Sequence, residues 1–322
     1  MPEQEIKPDS EGQVSDAVTG IWVDHLAPSW TRPYLRLSRA DRPIGTWLLL
    51  IPCWWGVLLA TIHKGAFSAI DLWIVLASAL GAWLMRGAGC TWNDITDRKF
   101  DEQVARTRSR PIPSGQVSVA GALIWMTLQA LIAFAILLTF EFSAVLLGVA
   151  SLGLVAIYPF AKRFTWWPQA FLGLAFNWGA LWAWTASTGT VSWAAVSLYV
   201  SGIAWTLFYD TIYAHQDKED DALVGIKSTA RLLGTRTHKW LKWFLVAAVA
   251  FMGIAVLLAF QPGANPLKLV VALGGPWAFG WHLAWQIRTL DIDKPENCVR
   301  LFRSNRDAGL IAALFLAVAA FL

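Results

Sequence analysis

Long apolar runs separated by short polar connections constrain this 322-residue chain more than any other feature of its sequence. A helix needs about 20 apolar residues to cross a hydrocarbon layer of roughly 30 Å, and only helices and closed barrels satisfy their backbone hydrogen bonds there. Runs such as GALIWMTLQALIAFAILLTF do not alternate as barrel strands do. With 56% hydrophobic and 15% charged residues, the chain is predicted to be an all-α, polytopic membrane protein.

Nine segments are long and apolar enough to form membrane helices, and we predict that they surround a central cavity capped by cytoplasmic loops. The Trp residues near several helix ends, including Trp54, Trp55, Trp166 and Trp167, are expected to lie mostly at the membrane interface. The nine segments are Pro43–Ile62, Ala69–Gly89, Val117–Thr139, Phe142–Tyr158, Pro168–Thr188, Val191–Tyr209, Trp240–Phe260, Leu267–Arg288 and Asp307–Leu322.

The distribution of Lys and Arg predicts the orientation, since basic residues resist translocation. If the N-terminus is cytoplasmic, 24 of the 26 basic residues lie on the inner side, and Lys64 and Lys268 are the exceptions. We therefore expect a bacterial inner-membrane protein whose C-terminus is periplasmic. The first 36 residues lack the features of a cleavable signal peptide and are predicted to form a flexible cytoplasmic tail, with residues 37–322 forming the membrane domain.

A first acidic motif, NDITDRKFD, follows the second apolar segment. Asn93, Asp97 and Asp101 are spaced by four, which places their oxygen atoms on one face of a helix. Asp94 lies at the edge of that face. Mg²⁺ prefers oxygen ligands and usually binds through a few carboxylates together with phosphate oxygens and water. The motif therefore predicts a magnesium site.

A second acidic motif, YDTIYAHQDKEDD, follows the sixth apolar segment. Asp210, Asp217 and Asp221 are spaced by seven and four, so they too are predicted to share one helical face. The pairs Asn93/Asp97 and Asp217/Asp221 have the same offset, which resembles an old duplication whose halves face each other. Either motif alone is equally compatible with a solvated loop at a helix end, but two acidic arrays at matching depth repel each other unless cations are bound.

Basic residues crowd both motifs, and together with Mg²⁺ they match the needs of a diphosphate, whose oxygens are bridged by metal and neutralised by cations. The net charge of +4 reflects inner loops that face anionic lipid and gives no indication of nucleic-acid binding. The basic residues are Arg98, Lys99, Arg106, Arg108 and Arg110 in the first region and Lys227 and Arg231 in the second.

Both motifs resemble the two aspartate motifs of the UbiA-type intramembrane prenyltransferases. NDITDRKFD is followed by RTRSRPIPSG, and YDTIYAHQDKEDD is followed by GIKSTA. RADRPIGTWLLLIPCWW, WLMRGAGCTWND and YPFAKRFTWWPQ are similar, more narrowly, to the 4-hydroxybenzoate polyprenyltransferases of ubiquinone synthesis. The resemblance covers the chain from about Leu37 to the C-terminus.

The resemblance implies Mg²⁺-dependent transfer of a polyprenyl group from its diphosphate to the ring carbon ortho to the hydroxyl of 4-hydroxybenzoate. An apolar cavity would keep water from the allylic cation. We assign metal binding to Asn93, Asp94, Asp97, Asp101, Asp217 and Asp221. Catalytic roles are assigned to Asp97, Asp101, Asp217, Asp221, Arg98 and Lys162, and substrate binding to Arg42, Tyr158, Arg110, Asp210 and Lys227.

Arg39 and Arg42 both precede the first helix, and a guanidinium there is suited to the carboxylate of a benzoate. We select Arg42, although an anchor to lipid head groups explains either residue nearly as well, and the same alternative applies to Lys162. A haem or menaquinone-pathway prenyltransferase is the nearest alternative function. A divalent-cation transporter is an alternative of another class, but it would place carboxylates near the middle of the membrane.

Overall fold

The computed structural model describes residues 20–104, 107–261, 263 and 265–322, apart from the side chains of Asp220 and Val224. Every regular element in these ranges is helical, which confirms the all-α prediction. Four helices are short: α1 (Trp22–His25), α2 (Arg32–Leu37), α9 (Lys218–Val224) and α10 (Thr229–Leu233). Within the same ranges nine are long: α3 (Ile44–Lys64), α4 (Ala69–Asp101), α5 (Val119–Leu137), α6 (Phe142–Phe164), α7 (Pro168–Thr188), α8 (Trp193–Ala214), α11 (Thr237–Ala259), α12 (Pro266–Thr289) and α13 (Pro295–Phe321).

Six stretches of the described chain are both long and apolar enough to cross a membrane, and they identify an integral membrane protein. They comprise α3, α4, α5, α6, α13 and the stretch Thr229–Ala259 that contains α11. The helices α7, α8 and α12 have 21, 22 and 24 residues and are long enough, but their apolar residues are interrupted by Trp, Ser, Thr, Asn and Gln. A count of nine spanning helices therefore stays a prediction.

Two long helices extend beyond the predicted membrane segments. The helix α4 continues past Gly89 to Asp101, so the first acidic motif lies on the same helix as the apolar run. The helix α13 begins at Pro295 and not at Asp307. The predicted domain boundary at residue 37 falls at the end of α2, and residues 1–19 of the predicted tail lie outside the described part of the chain.

The described residues divide into two compact units, one comprising the chain up to Gly45 with Trp83–Ala135, the other Thr46–Ala82 with Ile136–Leu322. In the first unit, Leu37, Ile95 and Val117 belong to a buried apolar cluster that joins α2, the end of α4 and the segment before α5. This packing holds the first acidic motif and the segments on either side of it in one unit.

In the second unit, α8 packs against α7 and α11, and α13 packs against α12 and α8. Trp55, Trp205 and Phe279 form a buried aromatic cluster with ring centroids 5.0 to 5.8 Å apart. Trp55 has no exposed surface, so its predicted interfacial position is wrong. Its indole Nε1 donates to the carbonyl oxygen of Gly309 at 3.0 Å, because that helix approaches without an intervening side chain.

Buried amides and indoles join the same helices. The Nε1 of Trp205 donates to Oδ1 of Asn305 at 2.9 Å, and Gln286 and Asn305 exchange hydrogen bonds at 3.1 and 3.2 Å. Asn305 and Gln286 have no exposed surface. A buried polar group is tolerated in an apolar interior only when it is hydrogen-bonded, so these pairs fix how α8, α12 and α13 align.

The close contact at Gly309 predicts a large effect of a single methyl group. A Cβ at Gly309 would lie 2.8 Å from the Trp205 ring and 2.9 Å from Ile51. We expect Gly309→Ala to destabilise the protein by about 1–3 kcal/mol through overpacking, measured as a lower melting temperature in detergent. Gly253→Ala, on α11 with nothing within 4 Å of the added Cβ, is the control. Equal melting temperatures for the two variants would contradict this packing.

Candidate active site

The first acidic motif occupies the C-terminal end of α4. This helix is continuous from Ala69 to Asp101, as the predicted common face of Asn93, Asp97 and Asp101 requires. Asp97 and Asp101 are 1% and 7% exposed, and Asn93 is half-buried. Burial of carboxylates to this extent requires cations or strong donors around them.

Asp94 is fully buried and lies in an ion-paired cluster. Both of its oxygens accept hydrogen bonds from the guanidinium of Arg39, one of them at 2.9 Å, and Nη1 of Arg110 lies 3.3 Å from Asp94 Oδ1. Nη1 of Arg110 also lies 2.9 and 3.1 Å from the two oxygens of Asp101. We call Arg39, Asp94, Asp101 and Arg110 the carboxylate–guanidinium cluster. Its two guanidiniums balance its two carboxylates, so the cluster is neutral when all four groups are charged.

Arg39 adopts a left-handed backbone conformation, with φ of 57°. This conformation is costly for a residue other than glycine and is retained when surrounding contacts compensate for it. The paired hydrogen bonds to Asp94, and a further bond from Arg39 Nη1 to the carbonyl of Arg36 at 3.2 Å, supply that compensation. The attraction of Asp94 raises the pKa of Arg39 against the opposing effect of burial, so the guanidinium stays charged.

Arg42 is half-buried, and its Nε lies 3.3 Å from Oδ1 of the buried Asp41. Arg39 is engaged by Asp94 and Arg42 by Asp41, so the predicted role of Arg42 in binding an acceptor carboxylate stays a prediction. Arg98 donates from Nη1 to the carbonyl of Ile95 at 2.8 Å. Lys99 and Arg108 are exposed, and Arg106 lies outside the described residues.

The second acidic motif spans a break in helical structure. The helix α8 ends at Ala214, a 3₁₀ turn covers His215–Asp217, and α9 begins at Lys218. Asp210 therefore lies on α8, while Asp221 lies on α9. The prediction that Asp210, Asp217 and Asp221 share one continuous helical face is wrong, because the turn interrupts the 3.6-residue period on which it rested.

The backbone of Asp221 is held by the segment that follows it. Its carbonyl accepts hydrogen bonds from the backbone N–H of Ile226 at 2.9 Å and from Nη1 of Arg231 at 3.2 Å. Gly225, with φ of 78°, allows the chain to turn back after α9. Arg231 also lies over the ring of Trp166. These contacts place the basic segment after α9 beside the end of α6.

Lys162 and Lys227 are brought together at this point. The N–H of Lys227 donates to the carbonyl of Lys162 at 3.1 Å, and Nζ of Lys227 lies 3.3 Å from the carbonyl of Phe164. Tyr158 is one turn before Lys162 on α6, and both are half-buried. The structure thus gathers these predicted substrate-contacting residues at the end of α6 in the second unit.

Three neutral residues near the second motif were not singled out from the sequence. Gln169 accepts from the N–H of Thr229 at 3.1 Å, and the hydroxyls of Thr211 and Thr229 are 2.7 Å apart. The quoted stretches YPFAKRFTWWPQ and GIKSTA contain Gln169 and Thr229, but spacing alone does not show that they meet. These bonds connect α7, α8 and α10 around the basic segment.

His215 begins the 3₁₀ turn and is buried, with Nε2 lying 3.0 Å from Oγ1 of Thr237. Burial lowers the pKa of His215 to about 4, with a smaller contribution from the charge of Lys218. The imidazole is therefore neutral near pH 7. We infer that His215 fixes the turn before Asp217.

Among the described residues, no group of three or more His, Cys, Asp or Glu side chains is arranged to hold a metal ion. The hard oxygen donors of both motifs nevertheless suit Mg²⁺, which commonly uses only one or two carboxylates and takes its other ligands from substrate phosphate and water. The donor sets therefore fit a magnesium site that is completed by substrate and not a preformed protein cage.

A cavity of about 350 Å³ lies elsewhere in the second unit, at the opposite end of α8 from Asp210. Lys64, Trp184 and Ser192 are among its lining residues. Eighteen residues separate Ser192 from Asp210, which corresponds to about 27 Å along a helix. This cavity is therefore distinct from the predicted site.

Comparison with known proteins gives a consistent result. The model of the UbiA prenyltransferase family matches residues 49–321. Several relatives are named mitochondrial 4-hydroxybenzoate polyprenyltransferase. The protein from Mus musculus is 47% identical over 92% of this chain and 76% of its own length. The protein from Bos taurus is 48% identical over 91% of this chain and 76% of its own length. The human protein of that name is 45% identical over 95% of this chain and 80% of its own.

Solved structures share the fold at lower sequence identity. A UbiA homolog from Archaeoglobus fulgidus bound to GPP and Mg²⁺ aligns with a TM-score of 0.65 and 19% identity, covering 90% of this chain and 98% of the homolog. The apo structure of a UbiA homolog from Aeropyrum pernix K1 aligns with a TM-score of 0.64 and 24% identity, and the alignment covers 85% of this chain and 97% of the homolog. With the family match over most of its length, and relatives above 40% identity over about nine-tenths of it, the chain belongs to the UbiA prenyltransferase family.

Proposed function

We propose that this protein transfers a polyprenyl group from polyprenyl diphosphate to 4-hydroxybenzoate, at the ring carbon ortho to the hydroxyl, in ubiquinone biosynthesis. The observation that carries this proposal is the 45–48% identity to proteins named 4-hydroxybenzoate polyprenyltransferase over nine-tenths of the chain. The acidic and basic residues at the ends of α4, α6 and α8 provide chemistry suited to a diphosphate. A transporter gains no support, because the family that the chain belongs to is a prenyltransferase family.

We propose that all nine long helices span the membrane, including the more polar α7, α8 and α12. Their polar residues are largely buried, as Asn177, Thr206 and Gln286 illustrate, and polar side chains of spanning helices normally face the protein interior. If all nine span, 24 of the 26 basic residues are predicted to lie on the side that holds the N-terminus and both motifs. In a bacterial inner membrane that side is the cytoplasm.

For the metal, we propose that Asn93 and Asp97 in one motif and Asp217 and Asp221 in the other hold Mg²⁺ together with the diphosphate. When bound at these residues, Mg²⁺ would offset the negative charge that develops on the leaving diphosphate. Asp94 and Asp101 are ion-paired with guanidiniums, so they are weaker candidates for ligands than the sequence predicted. Both motifs are proposed to act on one diphosphate, as the sequence analysis expected.

The basic residues have a complementary role in this proposal. Lys162 and Lys227 come together at the end of α6 and would neutralise diphosphate oxygens as the allylic C–O bond breaks. The diphosphate departs with the bonding electron pair, the ortho ring carbon forms the new C–C bond, and the ring then loses its proton. Arg42 would orient the acceptor by its carboxylate, while Tyr158, Arg98 and Asp210 complete the proposed substrate contacts.

The direct test supplies purified protein with Mg²⁺, polyprenyl diphosphates of increasing length and 4-hydroxybenzoate. We expect pyrophosphate and a prenylated 4-hydroxybenzoate to form in equal amounts, and neither product without the aromatic acid. Transfer to a different aromatic acceptor, with none to 4-hydroxybenzoate, would overturn the proposed acceptor while leaving the reaction class intact.

The metal assignment predicts that Asp97→Ala and Asp221→Ala each abolish transfer without preventing membrane insertion, because each removes an oxygen ligand needed on the diphosphate. Chelation by EDTA should have the same effect on the wild type and be reversed by added Mg²⁺. Transfer rates are measured in detergent, with Asp307→Asn as a control, because the Asp307 carboxylate is exposed and forms an ion pair with the adjacent Arg306. A near-wild-type rate for either alanine variant would contradict the assignment.

The acceptor assignment predicts that Arg42→Ala raises the KM for 4-hydroxybenzoate by roughly 10- to 100-fold, the effect of losing a charge-assisted hydrogen bond. The KM for polyprenyl diphosphate should change little. Arg32→Ala is the control, since Arg32 begins α2 in the same unit and its Nε donates to the backbone carbonyl of Ala27. If the KM values for both substrates rise equally in Arg42→Ala, Arg42 is not the residue that distinguishes the acceptor.

A further inference from the structure

The guanidinium of Arg110 makes its contacts through one of its nitrogens, while another nitrogen lacks a partner among the described residues. Nη1 makes all of the contacts described above, with both oxygens of Asp101 and with Oδ1 of Asp94. Nε is buried and has no hydrogen-bond partner among the residues that the structure describes. Nε and Nη2 together form the side-on edge of a guanidinium, which donates two parallel hydrogen bonds to an oxyanion. This edge is therefore suited to an anionic ligand.

The position of Arg110 is set by the end of α4. Asp101 is the last residue of that helix, and its backbone carbonyl accepts a hydrogen bond from Oγ1 of Thr107 at 3.0 Å. This bond ties the segment that carries Arg110 back to the helix, and the side chain of Asp101 then holds Nη1. Asp94, itself held by Arg39, provides a second acceptor on the same nitrogen. A guanidinium fixed in this way loses little freedom on binding a ligand.

We propose that Asp101, assisted by Asp94, is a positioning residue for Arg110 and not a metal ligand, and that Arg110, which the sequence assigns to substrate binding, thereby presents its Nε–Nη2 edge to a substrate oxyanion. The inference rests on the proposed function, because the two anionic substrates considered are those of the proposed reaction. The oxyanion belongs either to the carboxylate of the aromatic acid or to the diphosphate, which present the same pair of acceptor oxygens.

The first measurement compares substrate KM values and the magnesium requirement of Asp101→Asn. In Asp101→Asn we expect the KM for one of the two anionic substrates to rise by roughly tenfold or more, as for a weakened charge-assisted hydrogen bond. The KM for the same substrate should rise in Arg110→Lys, because lysine keeps the positive charge but cannot donate two parallel hydrogen bonds from a planar group. The concentration of Mg²⁺ for half-maximal rate should stay within about twofold of wild type, because no metal ligand is lost. The substrate whose KM rises identifies the source of the oxyanion.

The second measurement is a double-mutant cycle. If Asp101 acts only through Arg110, the double variant Asp101→Asn/Arg110→Ala should have the same KM as Arg110→Ala alone. The control is Asp24→Asn, which breaks the comparable ion pair of Asp24 with Arg36, 3.3 Å apart in the same unit. Its effect on the KM should be small, and its combination with Arg110→Ala should be additive.

Binding without turnover provides a readout that does not depend on chemistry. Affinities of the full-length, detergent-purified variants are measured for 4-hydroxybenzoate alone and for inorganic pyrophosphate with Mg²⁺. The affinity for one of these two anions should fall in Asp101→Asn and in Arg110→Lys by the same factor as the KM rises. Melting temperatures identify a variant that does not fold, and Arg110→Lys tests the proposal even if Asp101→Asn is unstable, since it leaves every carboxylate in place.

Two results would overturn the proposal while leaving the proposed function intact. One is a tenfold or larger rise in the Mg²⁺ requirement of Asp101→Asn, which would make Asp101 a metal ligand. The other is unchanged binding and KM for both anions in Arg110→Lys. A wild-type protein that forms no prenylated product from 4-hydroxybenzoate would instead refute the proposed function.

Discussion

The pairing of Asp94 with Arg39 and Arg110 is the interaction on which the arrangement of the first motif depends. Asp94 has no exposed surface, so its charge is tolerated only because two guanidiniums donate to it. Removing one partner of a buried pair typically costs about 3–5 kcal/mol, because the other charge is left uncompensated. One carboxylate on α4 thereby fixes both the strained backbone before α3 and the segment that follows α4.

This dependence explains why the charged stretch after the second apolar run is not simply a solvated loop. Asp97 and Asp101 are nearly as buried as Asp94, although they lie on a helix that leaves an apolar segment. Within the carboxylate–guanidinium cluster both carboxylates are neutralised by guanidiniums, which is why we propose Asn93 and Asp97, and not Asp94 and Asp101, as the metal ligands of this motif. In the second unit, the carbonyl of Asp221 is held by Arg231, which gives that motif a comparable support through its backbone.

The sequence was sufficient to predict the helical class and all nine long helices, because apolar runs of about 20 residues have few other stable conformations in lipid. It also located Asn93, Asp97 and Asp101 on a common face. It failed at His215–Asp217, where a 3₁₀ turn separates Asp210 from Asp221, since spacing carries no information about such a break. The burial of Trp55 and the pairing of Asp94 with Arg39 depend on tertiary contacts between distant segments, so neither spacing nor composition reveals them.

We propose above all that both acidic motifs hold metal on one diphosphate. The most direct test of this claim is pulsed electron–nuclear double resonance of protein-bound Mn²⁺, with a non-reacting prenyl thiodiphosphate in place of the substrate. We predict phosphorus couplings from directly coordinated Mn²⁺ in the wild type, and the loss of part of that signal when either Asn93 or Asp217 is replaced by alanine. A full phosphorus signal in one of these two variants would contradict the claim, since one motif alone would then account for the metal on the diphosphate.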